Sequence, residues 1–228
     1  MRRAVVLVLA LSLAGCRSDV RYVRVDVTRI ARLVRAYGST TARSLPRLDV
    51  AHLPPERLND LGVMLERRAI LDRAEEYYRM AVERKPDFAR AWVNLGNVLR
   101  QRGREDEAAD CYRRAMKEDP ALFEAVNNFA DLCADTGQRV DEALDLLRPA
   151  LEKHPPEEAI GRDTLGKLLL RGGDPSPAAQ AFRAAFDLTD PRDKSLAAAI
   201  LQRLAQAYRA LGQEDAARSA ELRAAALM

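Results

Sequence analysis

Apolar residues recur along most of the chain with the alternating spacing of three and four residues that places them on one face of a helix. Residues 55–88 and 89–122 align without a gap. The same arrangement continues more loosely in residues 123–157, 159–192 and 198–228. Alanine, leucine and arginine dominate the composition and favour helix, so the sequence predicts an all-α fold built from five consecutive units.

Small residues recur at fixed places within these units, where two helices are expected to approach closely. In the first helices they are Gly62, Gly96, Ala130, Gly166 and Ala205. Large apolar residues, such as Tyr78 and Tyr112, fill the remaining space. Glycines are favoured just after a helix and are predicted to close four first helices: Gly103, Gly137, Gly173 and Gly212. Pro149 falls late in a predicted second helix, where it removes a hydrogen bond.

These positions resemble the tetratricopeptide repeat, a helix-turn-helix unit of about 34 residues. The resemblance covers residues 55–228 and implies an α-solenoid of about five units, with a concave groove along the stacked first helices. It also implies a non-enzymatic function, the binding of a protein or peptide partner in that groove, without a cofactor.

Polar residues at exposed positions of the first helices are the candidates for lining the groove. Asparagine both donates and accepts hydrogen bonds and can therefore bind the backbone of an extended peptide, while arginine adds recognition of carboxylates. Asn94 and Asn128 occupy equivalent positions in neighbouring units. The alternative is that these residues are merely solvated. The candidates are Arg90, Asn94, Asn97, Arg100, Asn127, Asn128 and Asp131.

The first residues have the pattern of an export signal. Arg2 and Arg3 precede an apolar run of eleven residues, which rises about 16 Å as a helix, roughly half of what a bilayer core requires. The run therefore indicates a signal peptide and not a span. The letters LAGC that end at Cys16 resemble a bacterial lipobox, which implies removal of residues 1–15 and lipidation of Cys16. A plain signal or an uncleaved anchor with a chance cysteine is the alternative.

By the same resemblance, the protein is expected in the bacterial cell envelope. Arg17 follows the lipidated cysteine, where aspartate would retain a lipoprotein in the inner membrane. This favours the outer membrane, with the protein facing the periplasm.

A basic arm, residues 16–54, connects the predicted anchor to the repeats. Residues 17–54 carry eight arginines against three aspartates, whereas residues 55–228 carry a net charge of −4. Valines and other apolar residues from Val20 to Tyr37 recur at helical spacing. The arm is interpreted either as a helix near anionic lipids or a partner, or as a helix packed on the first repeat. Residues 38–54 are predicted to be a linker.

The sequence offers little for catalysis, metals or nucleotides. The segment Gly161–Lys167 has the spacing of a phosphate-binding loop, but Leu168 stands where that loop needs serine or threonine. His52 and His154 form no ligand pattern. Cys111 and Cys133 fall at helical positions expected to pack inward, so two buried thiols are favoured over a disulfide. Export to the envelope argues against nucleic acid.

The last unit ends in the letters AAALM. Its apolar residues are expected either to meet a second copy or a partner, or to fray; they are Leu222, Ala225, Ala226 and Leu227. The hypothesis for the whole chain is a membrane-anchored scaffold in assembly of an envelope complex such as a pilus or secretion channel. An adaptor for peptidoglycan-processing enzymes and an accessory subunit of an envelope enzyme are the alternatives.

Overall fold

A computed structural model describes residues 50, 52–153 and 158–228. Ten α-helices make up the secondary structure of these residues. The helices are α1 (Pro55–Glu66), α2 (Leu71–Arg84), α3 (Ala89–Gln101), α4 (Glu105–Glu118), α5 (Phe123–Thr136), α6 (Val140–Lys153), α7 (Glu158–Arg171), α8 (Pro175–Leu188), α9 (Lys194–Ala210) and α10 (Glu214–Ala225). Odd-numbered helices are the first helices of five pairs and even-numbered helices the second. The predicted all-α repeat fold is confirmed. The predicted signal peptide, Cys16, the arm to residue 49 and His154 lie outside the described residues.

The turns inside the pairs need a residue with positive φ. Glycine supplies it in four of the five turns, at φ values between 71° and 88°, because it lacks the Cβ atom that disfavours this conformation. These are the four glycines that the sequence predicts. Ala69 occupies the place in the first pair and adopts a φ of 57°.

Two helix starts show how local chemistry sets the boundaries. The side chain of Asp193 accepts a hydrogen bond from the backbone N–H of Leu196, so α9 begins at Lys194, earlier than residue 198. Asp174 precedes α8, but its side chain makes no capping hydrogen bond. Pro175 occupies the first position of α8, where its fixed φ angle favours the beginning of a helix.

The described residues up to Pro86 form one compact unit, which consists of α1, α2 and the residues just before α1. Leu58, Leu61 and Tyr78 are completely buried in its core. The Arg84 guanidinium donates hydrogen bonds to the backbone carbonyl of Val50, at 3.3 Å, and to that of Leu53. The end of the predicted linker is therefore bound to α2.

The second compact unit, residues 87–228, contains α3 to α10. Its core includes the fully buried side chains of Tyr112, Phe129, Leu147, Phe182 and Ile200. The three last helices, α8 to α10, share one hydrophobic cluster. Helix α6 continues to Lys153 with Pro149 in its interior, as the sequence predicts. Among the described helices, none has both the length and the apolar character needed to cross a membrane.

Aromatic rings pack against the glycines of the first helices. A Cβ atom added to Gly96 would lie 2.6 Å from the ring of Tyr112, and one added to Gly166 would lie 2.5 Å from the ring of Phe182. In the first unit, Gly62 faces Tyr78 at 2.4 Å in the same way. These distances are shorter than carbon atoms tolerate, so the glycine is what allows each helix pair to close over its ring.

Candidate functional site

The first helices of the second unit carry a connected set of polar side chains. The amide oxygen of Asn97 on α3 accepts two hydrogen bonds, one from the Tyr112 hydroxyl at 2.8 Å and one from the Asn128 amide on α5 at 3.0 Å. The asparagine from one helix pair is therefore bound to the asparagine of the next. We call this surface the first-helix face; it consists of Asn97, Arg100, Asn128, Asp131, Asp135 and Lys167.

Four charged residues of the first-helix face form one ion-pair network across three helix pairs. The Arg100 guanidinium on α3 lies 2.8 Å from the Asp131 carboxylate on α5 and also contacts Asp135. From the other side, the Lys167 ammonium on α7 contacts Asp131 and lies 2.9 Å from Asp135. Two positive and two negative charges balance, so the network is neutral.

The links between the first helices continue toward the C-terminus. Arg171 on α7 donates to the backbone carbonyl of Ala134 at 2.9 Å and to that of Asp135 at 2.7 Å, near the end of α5. Arg203 on α9 donates two hydrogen bonds, of 2.9 and 2.6 Å, to the carboxylate of Asp163 on α7. Because Asp163 is only 6% exposed, this two-bond pair supplies the charge compensation that a buried carboxylate requires.

The network holds Asp131 in its ionised form. Burial acts to raise the pKa of Asp131, but the hydrogen bonds and charges of Lys167 and Arg100 outweigh it and hold the pKa below its usual value. Burial likewise acts to lower the pKa of Arg100, and the two aspartates reverse this and raise it. Asp131 and Arg100 thus stabilise each other's charge.

The seven residues predicted to line the groove have different surroundings. Asn97 and Asn128 are joined to each other, and Arg100 is joined to Asp131. Arg90, at the start of α3, is exposed, and Asn94 is half-buried.

Asn127 is buried, at 9% exposure, and its amide oxygen makes no hydrogen bond within the described residues. Consecutive residues of a helix point about 100° apart, so Asn127 and Asn128 cannot share one exposed face.

Sequence reasoning missed Asp135, Lys167, Asp163 and Arg203. One signal was available, because the small residues Gly96, Ala130 and Gly166 fix the register of three first helices. The next residue in each case is Asn97, Asp131 or Lys167, so these three occupy equivalent positions, and Lys167 contacts Asp131. The Asp163–Arg203 pair joins positions that are not equivalent between units, so the register does not reveal it.

The segment with the spacing of a phosphate-binding loop lies within α7. Its two glycines leave room for neighbouring side chains. A Cβ atom on Gly161 would lie 2.5 Å from Leu151 and 2.6 Å from Phe123, and Gly166 faces Phe182. Its lysine, Lys167, is paired with two aspartates.

The thiols of Cys111 and Cys133 are both buried and form no disulfide with each other. Burial raises the pKa of Cys133 to about 11, so this thiol stays protonated at neutral pH.

Stacked helix pairs with a polar surface along their first helices define the class of helical repeat proteins that bind other proteins. The chain belongs to the tetratricopeptide repeat family, whose pattern matches residues 60–122 and 134–185, half of the 228 residues. Proteins of this family are generally non-enzymatic scaffolds, and their fold supports a role in protein–protein interaction.

Solved structures share this fold at low sequence identity. PilF of Pseudomonas aeruginosa is similar with a TM-score of 0.66 and 22% identity over 76% of each chain. MamA of Desulfovibrio magneticus RS-1 is similar with a TM-score of 0.64 and 17% identity, over 76% of this chain and 94% of that one.

Cut9–Hcn1 from the APC/C is similar with a TM-score of 0.66 and 21% identity over 78% of this chain. The present chain spans only 34% of that chain's length. No curated protein matches the chain.

Proposed function

We propose that the protein is a lipid-anchored scaffold of the bacterial cell envelope that holds a partner protein on its first-helix face. The observation that carries the proposal is the row of amide and ion-paired side chains along α3, α5 and α7. The partner is held at the membrane by a lipid on Cys16, and the protein itself catalyses no reaction.

The state of the side chains favours an extended peptide backbone as the ligand. Arg100 is ion-paired with Asp131 and Asp135, so an acidic ligand would have to displace one of these carboxylates. The hydrogen bonds that join Asn97 and Asn128 use the amide oxygen of Asn97 and one N–H of Asn128, which leaves the Asn97 amide nitrogen as a donor and the Asn128 amide oxygen as an acceptor. The backbone N–H and C=O groups of a bound strand match that combination and need no change in the ion-pair network.

The partner-binding part is tested by replacing two asparagines together with alanine: Asn128 of the first-helix face, and Asn94, which occupies the equivalent position on α3. A cross-linking pull-down from intact cells should recover a partner with the wild-type protein and much less of it with the double variant. Gln180→Ala is the matched control, because Gln180 is exposed on a second helix, α8, and its loss should leave recovery unchanged. Circular dichroism should show the same helical content in all three proteins. Undiminished recovery by the double variant would contradict a ligand on the first-helix face.

The anchor is tested separately, by Cys16→Ala. Without a thiol to lipidate, the protein should move from the membrane fraction to the soluble fraction, since the described helices provide no span. Persistence of the variant in membranes would rule out lipidation as the anchor, while leaving the partner-binding experiment valid.

For the assembled complex, we propose a pilus or a secretion channel, with the protein in the outer membrane facing the periplasm. Support comes from the likeness to PilF, in which 76% of each chain is covered, although at 22% identity this likeness concerns the fold. The experiment is to identify the cross-linked partner by mass spectrometry. A component of a pilus or secretion channel supports the proposal, and a peptidoglycan-processing enzyme would instead favour the adaptor alternative.

A further inference from the structure

A second candidate binding surface lies away from the first-helix face, in a pocket between α8, α9 and α10. The pocket has a volume of about 280 Å³. Its apolar lining includes Leu201 and Leu204 on α9 and Ala216 and Ala220 on α10. The side chains at its charged border are Arg183, Asp187 and Arg223. The residues of α8 and α10 belong to second helices, so this pocket is not a continuation of the first-helix face.

Each of the two arginines at the pocket is held against an aromatic ring. The guanidinium of Arg183 lies 5.3 Å from the ring centroid of Tyr208, and its Nε donates a hydrogen bond of 2.6 Å to the Tyr208 hydroxyl. The guanidinium of Arg223 lies 4.8 Å from the ring centroid of Phe186. Stacking on a ring fixes the plane of a guanidinium while leaving its outer N–H groups available.

Neither guanidinium is paired with a carboxylate within the described residues. This distinguishes them from two arginines on α9, because Arg203 binds Asp163 and Arg209 binds Glu221. Both Arg183 and Arg223 are exposed to solvent at the border of the pocket. Two oriented guanidinium groups beside an apolar cavity match a ligand that carries carboxylates next to an apolar side chain.

We propose that the pocket binds an acidic segment of a partner protein, with one apolar side chain in the cavity and flanking carboxylates on Arg183 and Arg223. The volume of about 280 Å³ lies just below the range of ligand pockets, which begins at about 300 Å³, and suits one side chain better than a larger ligand. This site is independent of the proposed function of the first-helix face.

Asp187 provides an internal test of the charge requirement. It is the only acidic residue that lines the pocket within the described part of the chain, and it lies one helical turn from Arg183. A carboxylate there repels an acidic ligand. Asp187→Asn should therefore strengthen binding of an acidic peptide and leave binding of its amide counterpart unchanged.

The main experiment measures peptide binding by fluorescence anisotropy. The probes are four fluorescein-labelled hexapeptides, Asp-Asp-X-Glu-Asp-Asp with X as Leu, Ile, Met or Phe, and their amide counterparts Asn-Asn-X-Gln-Asn-Asn. At least one acidic peptide should bind, more weakly at higher salt, and the double variant Arg183→Gln/Arg223→Gln should lose about tenfold or more in affinity. Arg218→Gln is the matched control, because Arg218 is exposed on α10 but does not line the pocket.

Two further variants distinguish the pocket from general attraction between charges. Ser219→Trp places a large side chain in the cavity and should abolish binding while both arginines remain. The double variant Arg183→Lys/Arg223→Lys keeps both charges and should still lose affinity, because lysine cannot make the two parallel hydrogen bonds.

Three results would overturn the proposal. They are equal affinity for acidic and amide peptides, an equal loss in the Arg218→Gln control, and no binding of any of the acidic peptides. Vesicles of an anionic lipid serve as the comparison probe. Binding to them that depends on Arg183 and Arg223, without binding to the peptides, would replace the protein partner with a membrane surface.

Discussion

Gly96 shows how a single residue controls the closing of a helix pair. Its neighbour across the pair, Tyr112, is completely buried, so the ring has no room to move away from an added Cβ atom. The third pair has a different combination at the corresponding positions, with Ala130 on α5 and Leu147 on α6. A smaller second-helix side chain therefore accompanies a larger first-helix residue.

Gly96→Ala tests this packing, because two effects of the substitution change the free energy of unfolding in opposite directions. Helix propensity alone would stabilise the protein by about 1 kcal/mol. Overlap with the Tyr112 ring should instead lower the free energy of unfolding, with a cost of about 1–3 kcal/mol for overpacking. The cost should shrink when Tyr112→Leu is already present, because the chain then has the same combination of residues as Ala130 and Leu147 in the third pair. Urea denaturation of the four proteins of this double-mutant cycle measures the difference; a stabilising Gly96→Ala would contradict the packing explanation.

At the scale of elements, the five helix pairs are held together differently inside and between pairs. Inside a pair the buried contacts are mainly apolar, as between Gly166 and Phe182, and a few polar contacts such as Tyr112 with Asn97 are added to them. Between pairs of the second unit, ion pairs add to the apolar packing: Asp163 with Arg203 joins α7 to α9, and Arg113 with Glu142, at 2.8 Å, joins α4 to α6. Removing one partner of a buried ion pair should therefore weaken the junction of two pairs.

Arg203→Met should lower the free energy of unfolding by about 2–4 kcal/mol, because it strands the buried carboxylate of Asp163 without a counter-charge. The double variant Asp163→Val/Arg203→Met should recover much of the loss. Val93 occupies the position on α3 that Asp163 occupies on α7, so the fold accepts valine there. Chemical denaturation measures both changes. Equal stability of Arg203→Met and the wild type would show that the pair does not support the junction.

The ion-pair network on the first-helix face should make stability depend on pH. The pKa of folded Asp131 lies below its unfolded value of about 3.9, so its stabilising effect is present above that pH and is lost as the pH falls through the folded pKa. Asp131→Asn should therefore destabilise the protein at pH 7, and the difference from the wild type should shrink below about pH 4. Urea denaturation of both proteins at pH 7 and below about pH 4 measures this difference in the free energy of unfolding. The same difference at both pH values would contradict the assignment.

Sequence periodicity predicts much of the helical framework but little of the network. Turn glycines and the alternation of small and large residues depend on nearest neighbours within one helix pair, and they recur at a fixed spacing. Arg100, Asp131 and Lys167 are three different residue types in three repeats, so no repeated letter reveals their contact. Their pairing depends on how adjacent first helices are aligned, and the sequence alone does not specify this.

At the scale of the whole molecule, the described residues fall into two compact units, and the boundary in the sequence lies between Pro86 and Asp87. The second unit has its own core and carries both proposed binding surfaces. Repeat proteins are stabilised by contacts between neighbouring repeats, so a block of several pairs retains most of its interactions when separated.

A fragment of residues 87–228 should therefore fold on its own. Its far-ultraviolet circular dichroism should be helical and should be lost in a single cooperative thermal transition, because α3 to α10 keep the core of the second unit. The full-length chain is the reference. A fragment without helical signal, or one that melts without a transition, would show that residues 1–86 are required for the second unit.

The ion pairs between first helices also fix the order of the repeats. Each junction uses a different match: Arg100 meets Asp131, Asp131 meets Lys167, and Asp163 meets Arg203. If a copy of the α7–α8 pair replaced the α5–α6 pair, Lys167 would take the place of Asp131 and stand against Arg100, so that like charges would meet. The pairs resemble one another in backbone but are not interchangeable. Replacing one pair by a copy of another would consequently need a compensating change of charge in its neighbour to keep these ion pairs.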